Sequence, residues 1–592
     1  TIADLMSDEY FGTFQKLCHA EGMTSMAEAP GIATCLPSDN IQSKGRTDIP
    51  MAEFWMSQPN GTMDCKEAAS AAHVYGLPVV AAEAFTGSRA DAYPGMMKPF
   101  ADAALALGIN RFVVLAYVHQ PWDDRLPGVT QDRFYVPYQR HNTWWEDSAG
   151  FWNSLARGSQ LMRQGQAVAD ILYHLGNDAP LKITTWRMRP VPPAGYDYDV
   201  CGDEALIQRA NVKEGRIILP DGMSYRLLVL AGGNQMTLAA AKKLHALVNA
   251  GATVLGPVKL TGSPTLSDGT TGDAEVRTIA DELWGAGLLP AAGEKRTGLG
   301  RMLWGMTLAQ ALASLNTLPD FEIIRDGGGT NILHTHRRTA GEDIYFVANH
   351  QPRSRKFVAA FRVMGRVPER WDADTGKITE IAGSREINGR TEVPLTLEAN
   401  ASTFVVFRTH DSASIVHPPA ETNLVADMPV RLELTGPWNV RFTPGWGAPE
   451  QVTFTNLVSW TDYPDAGVRY YSGSATYTKD FKLPALRPGE RITLDLGKVA
   501  VLASVKLNGH DFGVLWKEPH ALDVTGALKP GQNTLEVRVV NTWGNRLIAD
   551  AGLPKSERKT WATWNPYRPD EKLLPSGLLG PVRLVGFQPY QP

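Results

Sequence analysis

The pattern of apolar and polar positions changes character twice along the chain, and each change predicts a different kind of element. Up to about residue 168, short apolar runs alternate with longer stretches at helical spacing. Ile49-Pro-Met-Ala-Glu53-Phe-Trp55 and Leu77-Pro-Val-Val-Ala-Ala-Glu83-Ala-Phe85 are two such runs. Between them, residues 63–75 are rich in helix formers and closed by Gly76, a residue suited to the position just past a helix end. Residues 10–19 have helical spacing and lead into Met23-Thr-Ser-Met-Ala-Glu28-Ala-Pro-Gly31. A helix over 99–107 leads into the apolar run that starts at Arg111 and reaches His119. Helices alternating with short apolar strands predict a parallel sheet with crossover helices. The strands should end at Glu28, Glu53, Glu83 and His119.

From about residue 168 the strands become continuously apolar. Residues 168–175, 225–231 and 252–256 read as buried parallel strands, and 238–249 as an amphipathic helix with Gly251 just beyond it. This predicts a smaller flavodoxin- or amidotransferase-like α/β domain over 168–318. Its turn, Ala231-Gly-Gly-Asn-Gln235, has neither the G-x-G-x-x-G spacing nor a nucleophilic cysteine, so it reads as structural. After Pro319 helices give way to turn-punctuated strands, which predict a β-sandwich over 319–412. A proline-rich linker, 413–427, precedes a second all-β region over 428–592 with clean alternation, as in a jelly roll.

Composition changes this picture in three places. A net charge of −4 with no basic excess gives no footprint for nucleic acid or an anionic membrane surface. No run of ~18 apolar residues is long enough to span a bilayer. The 16 Trp and 17 Tyr often stand beside Gly, Pro, Asn and Asp, as aromatics do where sugar rings stack on them. Cys18, Cys35, Cys65 and Cys201 have no metal-site spacing, and the three in the first region, Cys18, Cys35 and Cys65, read as buried free thiols. His334-Thr-His336 admits a metal-ligand reading as well as a structural one. The N-terminal residues lack the pattern of a signal peptide, so they do not identify a compartment.

Carboxylates at the C-terminal ends of neighbouring parallel strands occupy the position of a barrel active site. Glycosidic cleavage needs one carboxyl as acid and another as base or nucleophile. Glu53 and Glu83 are the candidates. Glu28, His119, Trp122 and Trp145 are expected to contact substrate, the last two on an aromatic loop that includes residues 134–138 and His141-Asn-Thr-Trp-Trp145. Four strands are half of a closed eight-stranded barrel, so either the other half precedes Thr1, the favoured expectation, or the domain is a smaller open α/β sheet.

The C-terminal region resembles the sugar-binding jelly roll of β-galactosidase-like hydrolases through residues 470–481, Val505-Lys-Leu-Asn-Gly509 and Val539-Val-Asn-Thr-Trp-Gly-Asn545. The whole chain, from Glu28-Ala-Pro-Gly31 and Glu53-Phe-Trp55 through Asn142-Thr-Trp-Trp145, resembles the C-terminal part of glycoside hydrolase family 106. That resemblance implies an inverting exo-α-L-rhamnosidase acting on a rhamnose-containing glycan or glycoside, with a periplasmic or secreted setting. It implies Glu83 as general base, Glu53 as a calcium ligand or a support for the base, and a general acid on an earlier strand. A β-galactosidase-like retaining enzyme and a non-catalytic carbohydrate-binding protein are the alternatives. Oligomeric state stays open.

Overall fold

A computed structural model describes residues 2–31, 37–57, 63–131, 138–183, 188–326, 331–409 and 425–587. Cys35, the linker between 413 and 424, and residues 134–137 of the aromatic loop lie outside the described residues. The N-terminal helical stretch runs through Ile2–Leu5, a π-turn at Met6–Phe11, and Gly12–Ala20. It leads to the first strand of a four-stranded parallel sheet: β1 (Met26–Ala27), β2 (Ile49–Trp55), β3 (Ala81–Thr86) and β4 (Arg111–Val114), in sequential order. Helices α1 (Asn40–Lys44), α2 (Met63–Tyr75) and α3 (Pro94–Ala106) make the crossovers, and α4 (Ala149–Met162) follows.

α2 is buried on all sides. Ala68, Ala69, Ala71 and Ala72 are all fully buried, and small side chains on every face let the helix lie between two sheets at once. Ala68, Ala69 and Ala72 face the core of β2 and β3, while Ala71 and Val74 face the cores of the second domain. Polar groups seal the second face: the Lys66 ammonium reaches Asp197 at 2.7 Å, and His73 bonds Asp199 at 2.9 Å.

α3 begins at Pro94, ahead of the expected 99–107. A proline at the first helical position gives up an N–H that has no partner there anyway. The larger correction concerns β4. It ends at Val114, and His119 is exposed five residues farther on. β3 explains this. The β2–β3 register skips Phe85, which sits at φ +66 as an extra residue, so β3 last pairs with β4 through Ala84 and Val114. With no partner strand beyond the bulge, the apolar run after Leu115 leaves the sheet, and His119 is no strand end.

The second region is a six-stranded sheet. Five strands run parallel, from Gly300–Trp304 through Thr253–Leu255, Leu227–Leu230 and Ile171–His174 to Tyr198–Cys201, and Gly293–Thr297 adds an antiparallel edge. Its amphipathic helix spans Leu238–Asn249, with Thr237 capping the Ala240 N–H. Next come a four-stranded and a six-stranded antiparallel sheet enclosing Phe321, Tyr345, Phe361 and Phe407. The last region repeats the four-plus-six arrangement around Trp438, Trp460, Tyr471 and Tyr477. The chain is thus a multidomain assembly of α/β and all-β units.

That last region folds back onto the first. Leu502, Trp516 and Val540 share one core with Phe54, Phe85 and Phe151. Arg538 donates two bonds to Asp147 at 3.0 and 2.8 Å, and Trp561–Ala562 pairs in parallel with Pro127–Gly128.

Candidate active site

Three glutamates meet at the C-terminal ends of β1, β2 and β3. Glu53 and Glu83 are direct partners in the parallel register, so their side chains leave the same face of adjacent strands. Their Cα atoms are about 4.8 Å apart, the spacing of neighbouring strands. Glu28 follows the last residue of β1. Its carboxylate folds back over Gly31, where an added Cβ would come within 2.5 Å of Oε2.

The backbone under these acids is strained. Ala29 sits at φ +41 and Phe85 at φ +66, a left-handed conformation that costs a non-glycine residue of order 1–3 kcal/mol. At Phe85 the surroundings hold the strain in place. The ring packs edge-on against Phe54 at 5.2 Å and Tyr138 at 6.4 Å. The bulge turns Thr86 back, and its hydroxyl donates to Glu83 Oε1 at 2.6 Å. Gly87 then continues at φ +75, where a Cβ would lie 3.1 Å from the Trp55 ring. The Trp55 indole N–H donates to Glu53 Oε2 at 2.9 Å.

Beneath the acids lies a buried lysine. Lys44 Nζ donates to the carbonyl oxygens of Glu28 and Met51, the latter at 2.9 Å, and pairs with Asp64 Oδ1 at 3.2 Å. Asp64 Oδ2 in turn accepts the Glu53 N–H at 3.0 Å. One ammonium therefore ties β1, β2 and the start of α2 together. This leaves the three glutamate carboxylates with little positive charge of their own. Burial, then repulsion from Glu53 and Glu83, raises Glu28 from 4.5 to about 7. Glu53 is raised too, chiefly by burial, with Glu83 and Asp64 adding repulsion against the Trp55 bond and Lys44.

Lys44, Asp64 and Thr86 are absent from the sequence-predicted set. Asp64 had a visible signal, an acid in the first turn of a helix; Lys44 had none, since its role depends on three segments converging. Trp122 is two-fifths exposed, with the Arg125 guanidinium 4.0 Å over its ring and Trp561 at 5.5 Å. Trp145 packs beside Trp144 and Trp152 on the core of this region. The loops that follow β3 and β4 meet the same C-terminal segment. Arg89 pairs with Glu571 at 2.6 Å and lies over Tyr567, while Trp122 meets Trp561.

Calcium takes six to eight oxygen ligands. Here Asp64 is committed to Lys44 and to a backbone N–H, and Glu53 Oε2 to an indole. Among the described residues no three His, Cys, Asp or Glu side chains form a metal-holding group. By themselves these residues do not fit a calcium cage, and no step below runs through the metal. At His334-Thr-His336 the contacts fit the structural reading. Both His336 nitrogens face carboxylates, Asp320 at 3.0 Å and Asp343 at 2.9 Å, and His334 stacks on Phe321.

Clustered carboxylates at the ends of neighbouring parallel strands are the groups that glycosidic cleavage calls for. The α-L-rhamnosidase model of glycoside hydrolase family 106 matches residues 1–385, and the chain belongs to that family. A galactose-binding-like domain of glycoside hydrolase family 2 matches residues 462–568. Among solved structures, a rhamnosidase from Novosphingobium sp. PP1Y is 34% identical over 99% of this chain, with a TM-score of 0.88. The chain spans 55% of that structure's length. A Formosa agariphila protein, provisionally named a beta-glucuronidase, is 27% identical over 99% of this chain and 69% of its own length.

Proposed function

We propose that this chain carries the water-activating side of an exo-α-L-rhamnosidase that releases terminal L-rhamnose from a glycan or glycoside. The observation behind this reading is the glutamate cluster itself, which lies inside the region matched by the rhamnosidase family model. Glu83 is the general base. Its carboxylate accepts from Thr86, which orients it, and it takes a proton from a water attacking C1 opposite the leaving group. Glu53, held by the Trp55 indole, supports Glu83 by position and charge. Glu28, about half protonated near neutral pH, can donate a hydrogen bond to a sugar hydroxyl. Trp122, two-fifths exposed and edge-on to Trp561, offers an aromatic face for the substrate.

Register favours one competing reading. An inverting acid and base stand roughly 6.5–9.5 Å apart, whereas a retaining pair stands about 5–5.5 Å apart. Glu53 and Glu83 on adjacent strands suit the shorter spacing, so an inverting enzyme draws its acid from another position. Proton NMR of the first sugar released from an aryl α-L-rhamnoside separates the two. A β-anomer supports inversion with Glu83 as base, and an α-anomer makes Glu53 and Glu83 the retaining pair.

A further inference from the structure

Away from the glutamates, a cleft of about 290 Å³ opens where three regions meet: the start of α3, the sandwich turn at Ala399–Asn400, and the jelly-roll segment 499–520. His520 forms part of its lining and is 2% exposed. Neither ring nitrogen meets hydrogen-bond geometry with a partner among the described residues, although the Val501 backbone lies where it favours the charged ring. A buried imidazole without partners costs free energy, because the lost hydration is not replaced. Burial drives it down to about 4, so at neutral pH it is uncharged and offers one donor and one acceptor.

The remaining lining completes a recognisable chemistry. Asn400 is held at φ +51 with its backbone N–H on the Gln351 carbonyl at 2.9 Å, and its side-chain amide lines the cleft. Glu518 contributes a carboxylate with no cation in contact, whereas the neighbouring Lys517 is neutralised by Asp374 at 3.0 Å. Tyr93 and Val501 supply apolar surface beside these groups. A bipolar imidazole, a bipolar amide and a carboxylate beside an aromatic ring match a neutral ring with vicinal hydroxyls. They match an anion poorly, because the cleft has an uncompensated carboxylate and no spare cation. A second cleft, sharing Ala399 and Glu518, extends outward past Ser354 and Lys498, which gives a longer chain somewhere to continue.

We infer that this three-domain cleft is a carbohydrate-binding site separate from the glutamate cluster, taking one neutral monosaccharide unit of a glycan on His520, Asn400 and Glu518. Such a site would hold a polymeric substrate near the enzyme while its ends are trimmed. It stands whether or not the rhamnosidase reading does, since it rests on no residue of the glutamate rim.

Titration calorimetry of the full chain with L-rhamnose, D-galactose and D-glucose tests it, run on the wild type and on the variants Asn400→Gly, His520→Phe, Glu518→Gln and Glu83→Gln. Asn400→Gly suits the positive φ, and His520→Phe keeps the ring while removing both nitrogens. At least one sugar should bind, and each cleft substitution should weaken it about five- to tenfold, the effect of one lost hydrogen bond. Glu83→Gln should leave that affinity unchanged. If His520→Phe fails to fold, Asn400→Gly and Glu518→Gln decide the matter. Absence of binding by all three sugars, indifference of binding to the cleft variants, or loss of binding in Glu83→Gln alone would each overturn the proposal.

Discussion

Two acidic clusters in this protein use the same side chains to opposite ends. At the ends of β1 to β3, Glu28, Glu53 and Glu83 crowd together, and the nearby lysine is spent on carbonyl oxygens and Asp64. Between the second and third regions, Asp170, Asp320 and Asp343 are buried as deeply or more, yet each has its own cation. Arg362 reaches Asp170 at 2.9 Å and Asp320 at 3.1 Å, and His336 bridges Asp320 and Asp343. Burial raises Glu28, Glu53 and Asp170 and pushes the same way at Asp320 and Asp343. In the first cluster repulsion adds to it, and Glu28 climbs to about 7. In the second, His336 and Arg362 more than offset it at Asp320, which lies well below the usual carboxylate range, whereas Asp170 stays raised by its burial despite Arg362 and Arg226. Paired charge binds domains together. Charge left facing its own kind stays available for chemistry.

The largest effect expected from this contrast is on turnover. Glu83→Gln should lower kcat by about 10²–10⁴-fold, the worth of a general base, with little change in thermal unfolding. The reverse pattern should follow at the other cluster. His336→Ala leaves Asp320 and Asp343 buried without their shared partner and should cost about 3–5 kcal/mol of stability. Its initial rates at a temperature where the chain stays folded should be unchanged, and a kinetic defect with unaltered unfolding would erase the distinction between the clusters.

The two tryptophans refine it at smaller scale. Trp145 packs on the core, so Trp145→Ala should lower stability by about 2 kcal/mol, less than the 3–5 kcal/mol of a fully buried tryptophan. Trp122→Ala should change stability by under ~0.5 kcal/mol and raise KM for substrates with an extended leaving group. Smallest of all is the expected effect of chelation. Because Asp64 is committed to Lys44 and Glu53 Oε2 to the Trp55 indole, EDTA should leave the initial rates of the wild type and of Glu53→Gln unchanged. Loss of rate restored by added calcium would bring the metal back, with Glu53 as its ligand.

Much of this arrangement is legible before folding. The helix Leu238–Asn249 falls where its 3.6-residue periodicity puts it, because one face must be buried and the other wetted. Glu28, Glu53 and Glu83 stand out because each interrupts or ends an apolar run, although an acid there reads equally as an arginine partner or a loop cap. What could not be read depends on contacts between distant segments. Lys44 gains its role only when β1, β2 and α2 meet around it. The bulge at Phe85 has no glycine to announce it, and with it the true end of β4 stays hidden, which is why His119 reads as a strand end. Trp145 reads as a pocket wall because an aromatic loop looks the same whether it faces a sugar or another tryptophan. The N-terminal helical stretch leaves Ile2, Leu5, Phe14 and Leu17 exposed, a pattern whose partner the described residues do not include.

The central claim is that the glutamate cluster is held together against its own repulsion, and the ionisation of Glu28 tests it most directly. The sign follows from linkage. A carboxyl raised from 4.5 in the unfolded chain to about 7 when folded adds stability that is fully present below pH 4.5 and is lost as pH rises through 7. Thermal unfolding of the wild type should therefore fall, relative to Glu28→Gln, across that window. Carbon-13 NMR of the Glu-labelled chain gives the midpoint itself, with Glu28→Gln identifying the resonance. The account predicts titration of Glu28 near pH 7, moving downward in Glu53→Gln and in Glu83→Gln as each repulsive neighbour is removed. A midpoint at the ordinary 4.5 with Glu53 and Glu83 intact would contradict it.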